Sequence, residues 1–129
     1  MPFIASWPGV IAPGSTSEQT VMTMDFFSTF AKLAGAALPQ NHPLDGIDLM
    51  PLLKGGEEEH DRTCHWLFGE AWAVRRGEWK LIGNGPKALR LVNLKTDPEE
   101  KQDCTKDQPE RAKELARLHK EWLREVGDK

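Results

Sequence analysis

Ala73-Val74-Arg75-Arg76-Gly77-Glu78-Trp79-Lys80-Leu81-Ile82 is the stretch on which the fold turns. Trp72 and Val74 alternate with Ala73 and Arg75, the period of a half-buried strand. Gly77 supplies the freedom of backbone that a tight turn needs. Alternation then resumes through Trp79, Lys80, Leu81 and Ile82, so the stretch reads as a hairpin. Trp79 brings a large apolar surface and is the expected packing anchor of that hairpin.

Strands are expected on both sides. Thr63 to Glu70 reads as one, with Cys64, Trp66 and Phe68 on one face. Gly83-Asn84-Gly85-Pro86 is a turn signal, and Leu89, Leu91 and Asn93 then alternate with Arg90, Val92 and Leu94. The expectation is a four-stranded antiparallel sheet between Thr63 and Leu94. A helix starting near Pro109 follows a charged loop around Asp97-Pro98. Ala112, Leu115, Ala116, Leu118, Trp122, Leu123 and Val126 form its apolar stripe, and Gly127 closes it. The sheet's apolar face is the natural partner of that stripe. Trp122 reads as core, and His119 as lying at the stripe's edge.

Upstream of the sheet the pattern is more broken. Pro2 to Trp7 reads as a short buried strand. Asp25 is the expected N-cap of a helix running to Leu33, with Phe26, Phe27, Phe30, Leu33 and Ala34 as its apolar face and Gly35 as its stop. Ala36 to Pro43 is a connection. Asp48 is the expected cap of a short helix, Leu49 to Lys54, that ends at Gly55-Gly56. The fold class is therefore α+β. Residues 1–56 read as one segment and 57–129 as a sheet subdomain with a covering helix.

The chain has 129 residues, 39% of them hydrophobic and 29% charged, a globular composition. A net charge of −3 gives no electrostatic case for nucleic acid or an anionic membrane. No run of eighteen apolar residues is present, so no transmembrane helix is expected. No signal-peptide pattern follows Met1 in these residues. Cys64 and Cys104 could pair or stay free; two unpaired thiols is the preferred reading, and their spacing matches no zinc pattern.

A search for chemistry returns little. The histidines are His42, His60, His65 and His119, and none lies three or four residues from another. Asp45 and Asp48 suit turn and cap roles. Glu57-Glu58-Glu59 is a charge run of the kind that stays solvated. The acids between Lys95 and Lys106 lack the alternate spacing and sixth-position glycine of a calcium loop. Gly83-x-Gly85 precedes a strand, which weakens any phosphate-cradling reading. No Gly-x-Ser-x-Gly elbow occurs. No catalytic, cofactor-binding or metal-binding residue is assigned.

Five motifs, in order, resemble the sulfatase family. They are Pro2-Phe3-Ile4-x-x-Trp7-Pro8-Gly9; Met24-Asp25-Phe26-Phe27-Ser28-Thr29-Phe30-x-x-Leu33-Ala34-Gly35; Leu44-Asp45-Gly46-Ile47-Asp48-Leu49-x-Pro51-Leu52-Leu53; Ala73-Val74-Arg75-x-Gly77-x-Trp79-Lys80-Leu81-Ile82; and Leu91-x-Asn93-Leu94-x-x-Asp97-Pro98-x-Glu100. Ser28 stands where the family usually has Pro, and Val92 where it has Tyr. The resemblance is to the family's C-terminal portion, within the alkaline phosphatase-like superfamily. It implies that residues 1–56 are the last segment of a larger α/β domain. It also implies a sulfuric ester hydrolase of arylsulfatase type as parent, exported to the periplasm or secreted if that parent is. Calcium and a formylglycine nucleophile, made from Cys or Ser in Cys/Ser-x-Pro-x-Arg, are then expected in an N-terminal domain. Cys64 is followed by His-Trp-Leu and Cys104 by Thr-Lys-Asp, so neither stands in that motif.

The partner implied is that N-terminal sulfatase domain, with sulfated substrate reached only through the full-length enzyme. The chain alone is expected to be inactive and to self-associate through its first 54 residues. The loops at His42, His65–Trp66 or Glu70–Trp72 could edge a substrate pocket, though strand packing under the last helix is the preferred role. Two other readings stand beside this one: a non-catalytic domain that binds sulfated glycan or is structural, and a part of a related phosphate or phosphonate ester hydrolase.

Overall fold

The computed structural model describes residues 3–37, 41, 44–56 and 62–127. These fall into two compact units divided after residue 60. Pro2, His42, Pro43, the Glu57-Glu58-Glu59 run and His60 lie outside the described residues.

In the first unit, α1 spans Met24–Leu33 and α2 spans Met50–Leu53. Both end where their glycines predict. Gly35 N–H donates to Lys32 O at 3.1 Å and Ala36 N–H to Ala31 O at 2.9 Å, which satisfies two of α1's last carbonyls. Gly55 and Gly56 close α2 with the same pattern. Asp48 is not the N-cap of α2, a position held by Leu49, but it lies just before it and its Oδ1 accepts from Met50 N–H at 2.9 Å.

Two further expectations fail in this unit. Residues 3–7 form no strand, and Phe3, Ile4 and Trp7 are exposed. A strand needs a neighbour to satisfy its backbone, and no described strand pairs with this segment, whose Phe3 ring packs on Phe26 at 5.2 Å instead. Asp25 is not the N-cap of α1; that position belongs to Thr23, whose side chain makes no capping bond. Asp25 lies inside the first turn and is 0% exposed. Its Oδ2 reaches back to accept from Met22 N–H at 2.7 Å. Its Oδ1 accepts from Ile47 N–H at 3.0 Å.

α1 is consequently turned against its apparent amphipathicity. Asp25, Ser28 and Thr29 form its buried face. Ser28 Oγ donates to Gly46 O at 2.7 Å, and Thr29 Oγ1 accepts from Leu49 N–H at 2.9 Å. The helix thereby holds the backbone of residues 46–49 by hydrogen bonds. Phe27 and Phe30 stay 61% and 64% exposed.

The second unit is a four-stranded antiparallel meander in the order β1-β2-β3-β4. Its strands are β1 Thr63–Phe68, β2 Ala71–Arg76, β3 Trp79–Asn84 and β4 Lys87–Asn93. Each hairpin turns on two residues, Gly69-Glu70, Gly77-Glu78 and Gly85-Pro86. Positive φ is confined to the glycine, 57° at Gly77, the pattern of a type II′ turn that suits strand twist. The register pairs His65 with Val74, Val74 with Leu81, and Leu81 with Leu91, placing all four on one face.

α3, Pro109–Gly127, packs on that face. The core joins Trp72, Val74, Leu81 and Leu91 of the sheet to Ala112 and Leu115 of the helix. Trp79 is only half-buried, while Trp72 is buried, so the anchor of the central hairpin is Trp72. The difference is one of position: Trp72 lies under the helix stripe, whereas Trp79 has Arg111 over its ring at 5.1 Å. Cys64, Trp66 and Phe68 do share a face, but it is the one away from α3. Of these three only Cys64 is buried, and Phe68 is 89% exposed. A shift of register between Ile82 and Gly83 makes Leu89 an extra residue in β4. Leu89 is therefore exposed rather than in line with Leu91.

The segment after β4 returns along its free edge. Leu91 N–H donates to Asp103 Oδ1 and Thr105 Oγ1, and Leu91 O accepts from Cys104 N–H at 2.7 Å. Such cover protects an edge strand from pairing with other chains.

Gly83 has no room for a side chain. A Cβ there would fall within the Trp72 ring and 2.7 Å from Lys87 O. Gly83→Ala is expected to destabilise the second unit by about 3 kcal/mol, the upper range for forced overpacking. Gly127→Ala, where a Cβ meets nothing within 4 Å, is expected to change stability little. Denaturant unfolding of both variants checks this.

Candidate functional site

The histidines that sequence spacing kept apart are brought together by the sheet. His65 lies on β1 and His119 on α3, with ring centroids 5.8 Å apart. Trp72 stacks on His119 at 4.3 Å and an interplanar angle of 15°. Trp122 stacks on His65 at 4.9 Å and 1°. Four rings thus fill the interface between helix and sheet.

His119 is not at the edge of the helix stripe but inside it, 3% exposed. It falls one turn after Leu115, and that spacing places it on the buried face. Neither His119 nitrogen, nor His65 Nδ1, has a hydrogen-bond partner among the described residues. Burial pushes the His65 pKa down to about 4, with His119 as a secondary cause. Burial also lowers His119. Both rings are therefore neutral at physiological pH.

The remaining candidates are occupied by structural work. Lys32 Nζ lies 2.8 Å from Asp48 Oδ2. Burial pushes the Asp48 carboxyl up, but Lys32 and the Met50 N–H hold it below the usual carboxylate range. In the acidic loop, Asp97 Oδ2 accepts from Gln102 N–H at 2.7 Å. Glu100 pairs with Lys80 at 2.6 Å, and Asp103 binds Thr105 and the β4 edge. Hydrogen bonds from Thr105 lower the Asp103 pKa. The loop is a set of turns fastened to the sheet.

A cleft of about 480 Å³ opens between the Gly77 turn and the start of α3. Its charges are matched internally: Arg76 with Glu114 at 3.1 Å, Glu78 with Lys95 at 2.9 Å, and Arg111 over Trp79. A second, apolar groove of about 330 Å³ lies in the first unit, lined by Phe3, Ile4, Trp7, Phe26, Phe30 and Leu33 among others.

Of the loops named as pocket edges, His42 lies outside the described residues. His65 and Trp72 lie under α3, while Trp66 projects from the other face and Glu70 occupies an exposed turn. Among the described residues no three His, Cys, Asp or Glu side chains group to hold a metal. Cys64 and Cys104 form no disulfide. Cys64 is buried on a strand and Cys104 packs against the core. Neither the calcium ion nor the formylglycine implied by the sulfatase resemblance fits these positions. No helix of the described residues is long and apolar enough to cross a membrane.

Comparison with known proteins is consistent across sequence and fold. The family described as N-sulphoglucosamine sulphohydrolase, C-terminal, matches residues 1–128. Steryl-sulfatase of Rattus norvegicus is 47% identical over 90 residues, which is 64% of this chain and 16% of that protein. N-acetylgalactosamine-6-sulfatase of Canis lupus familiaris is 41% identical over 80 residues, 61% of this chain and 15% of that protein. The crystal structure of Ps i-CgsB superposes with a TM-score of 0.80 at 28% identity, covering 90% of this chain and 27% of that one. The chain thus spans about a sixth of the length of these curated relatives.

Proposed function

The chain belongs to the N-sulphoglucosamine sulphohydrolase C-terminal family of sulfatases, and from that premise we propose that it is the C-terminal part of a sulfate-ester hydrolase whose reacting groups lie on other chain. The observation that carries this reading is a match over residues 1–128 to a C-terminal family, while the same residues span 16% of steryl-sulfatase. The chemistry agrees. A sulfate ester is cleaved by a nucleophile aided by a cation and fixed donors that stabilise developing negative charge. In this reading the calcium ion and the formylglycine belong to an N-terminal sulfatase domain.

Residues 1–56 are then the closing segment of the α/β domain, and 57–129 the subdomain that follows it. The exposed aromatic side of α1 supports this division. Phe27, Phe30 and Leu33 form a surface of the kind that large apolar patches mark as an interface. The implied occupant is the rest of the α/β domain.

Two outcomes are expected. The 129-residue chain hydrolyses no aryl sulfate above background, and the DNA upstream of Met1 continues in frame to a Cys/Ser-x-Pro-x-Arg motif. Turnover by the chain alone, or a stop codon directly upstream, would overturn the reading. In isolation the chain is also expected to self-associate through residues 3–54. Sedimentation velocity should show mass growing with concentration, and Phe27→Ser with Phe30→Ser should reduce it. A monomer at all concentrations would contradict this.

A further inference from the structure

The His65–His119 pair is assigned no step in the proposed hydrolysis, yet it lies between helix and sheet, with His119 buried on α3 and His65 half-buried on the edge strand β1. Among the described residues, the one charged pair on the surrounding surface is Arg76 with Glu114. On the sheet surface facing α3, the register gives Thr63, His65 and Leu67 from β1, and Trp72, Val74 and Arg76 from β2. β3 contributes Trp79, Leu81 and Gly83, and β4 contributes Leu91 and Asn93. Arg76 is the one charged side chain among these, and it is paired with Glu114. On α3, the residues one turn to either side of His119 are Leu115, Ala116, Trp122 and Leu123, all uncharged; Lys120 beside it is exposed. From the segment after β4, the thiol of Cys104 packs against the core. No carboxylate among the described residues acts on either ring.

A proton taken up on His119 would find no hydrogen-bond partner among the described residues. It would enter an apolar stack between two indoles, and a second proton would place like charges about 6 Å apart. We propose that the His65–His119 pair is an acid-sensitive latch: the neutral rings seat α3 on the sheet, and their protonation releases the C-terminal half of the helix. The first part of α3 is held independently, by Ala112 and Leu115 in the core and by the Arg76–Glu114 pair. Beyond His119, the described attachment is Trp122 on His65, while Leu123 and Val126 are exposed.

The sign of the pH dependence follows from linkage. Both rings bind protons less readily folded than unfolded, so the unfolded state takes up more protons below the ordinary histidine range. Stability is complete above pH 6.5 and is lost as pH falls toward 4. Between pH 6 and 5 the unfolding constant should rise by up to about tenfold per histidine.

The test uses the full 129-residue chain. Thermal unfolding is followed from pH 7.5 to 4 for the native sequence and for His65→Phe with His119→Phe. The native chain should lose melting temperature steadily below pH 6.5, and the double variant should lose markedly less. Equal pH slopes would overturn the proposal. Imidazole nitrogen NMR of the native chain gives a readout that does not depend on the variant folding. His65 should stay neutral at pH 5.5, His119 should titrate below the ordinary histidine range, and protonation of the pair should coincide with loss of amide protection after His119. Titration of either ring near pH 6.5 with α3 undisturbed would overturn it equally.

Discussion

The seating of Trp72 is the constraint on which the second unit depends. Its ring occupies the space that Gly83 leaves free on the neighbouring strand. Its Nε1–H donates to Gly85 O at 2.9 Å, tying the ring to the next hairpin turn. His119 of α3 stacks against it. One side chain thus couples β2, β3, the turn into β4 and the covering helix. A buried tryptophan brings much apolar area, but its N–H must find an acceptor, and here a turn carbonyl supplies one. The core of Val74, Leu81, Leu91, Ala112 and Leu115 closes around this arrangement. Leu81→Ala would cost about 2–5 kcal/mol by the usual rule for buried leucines.

The first unit is built on the opposite principle. On α1 the buried side chains are the polar Asp25, Ser28 and Thr29, with Leu49 and Met50 buried opposite, while Phe27, Phe30 and Leu33 stay exposed. Asp25, Ser28 and Thr29 hold the backbone of residues 46–49, each bond satisfying a group that burial would otherwise leave unpaired. Hydrogen bonds of this kind fix geometry but bury little apolar area. The apolar groove beside Phe26 and Phe30 is the surface through which such a unit gains the rest of its stability. That contrast is what a fragment of a larger layered domain, followed by a self-sufficient sheet and helix, is expected to show.

Much of the second unit was legible in the sequence because its elements are strongly periodic. Alternation through Trp72–Ile82 and the stripe of α3 gave the meander and its cover. Two things were hidden. Alternation says which residues share a face but not which face is covered, so it does not separate Trp72 from Trp79 as anchor or disclose the exposure of Trp66 and Phe68. The union of His65 with His119 depends on strand register and helix placement together, and no spacing along the chain encodes it. The signal available was the position of His119, one turn past Leu115 and one before Trp122 on a buried stripe. In α1 the Phe-rich periodicity marks an exposed face, whereas the buried side chains bind backbone, which leaves no apolar pattern to show that Asp25 is a clamp and not a cap.

Native-state hydrogen exchange on the 129-residue chain tests this account most directly, because it reads the two units separately. The account predicts strong, cooperative protection across β2, β3, β4 and the first half of α3. It predicts weak protection in α1 and α2, whose apolar surface lies open in the isolated chain. Protection in α1 equal to that of β3 in dilute, monomeric protein would contradict it.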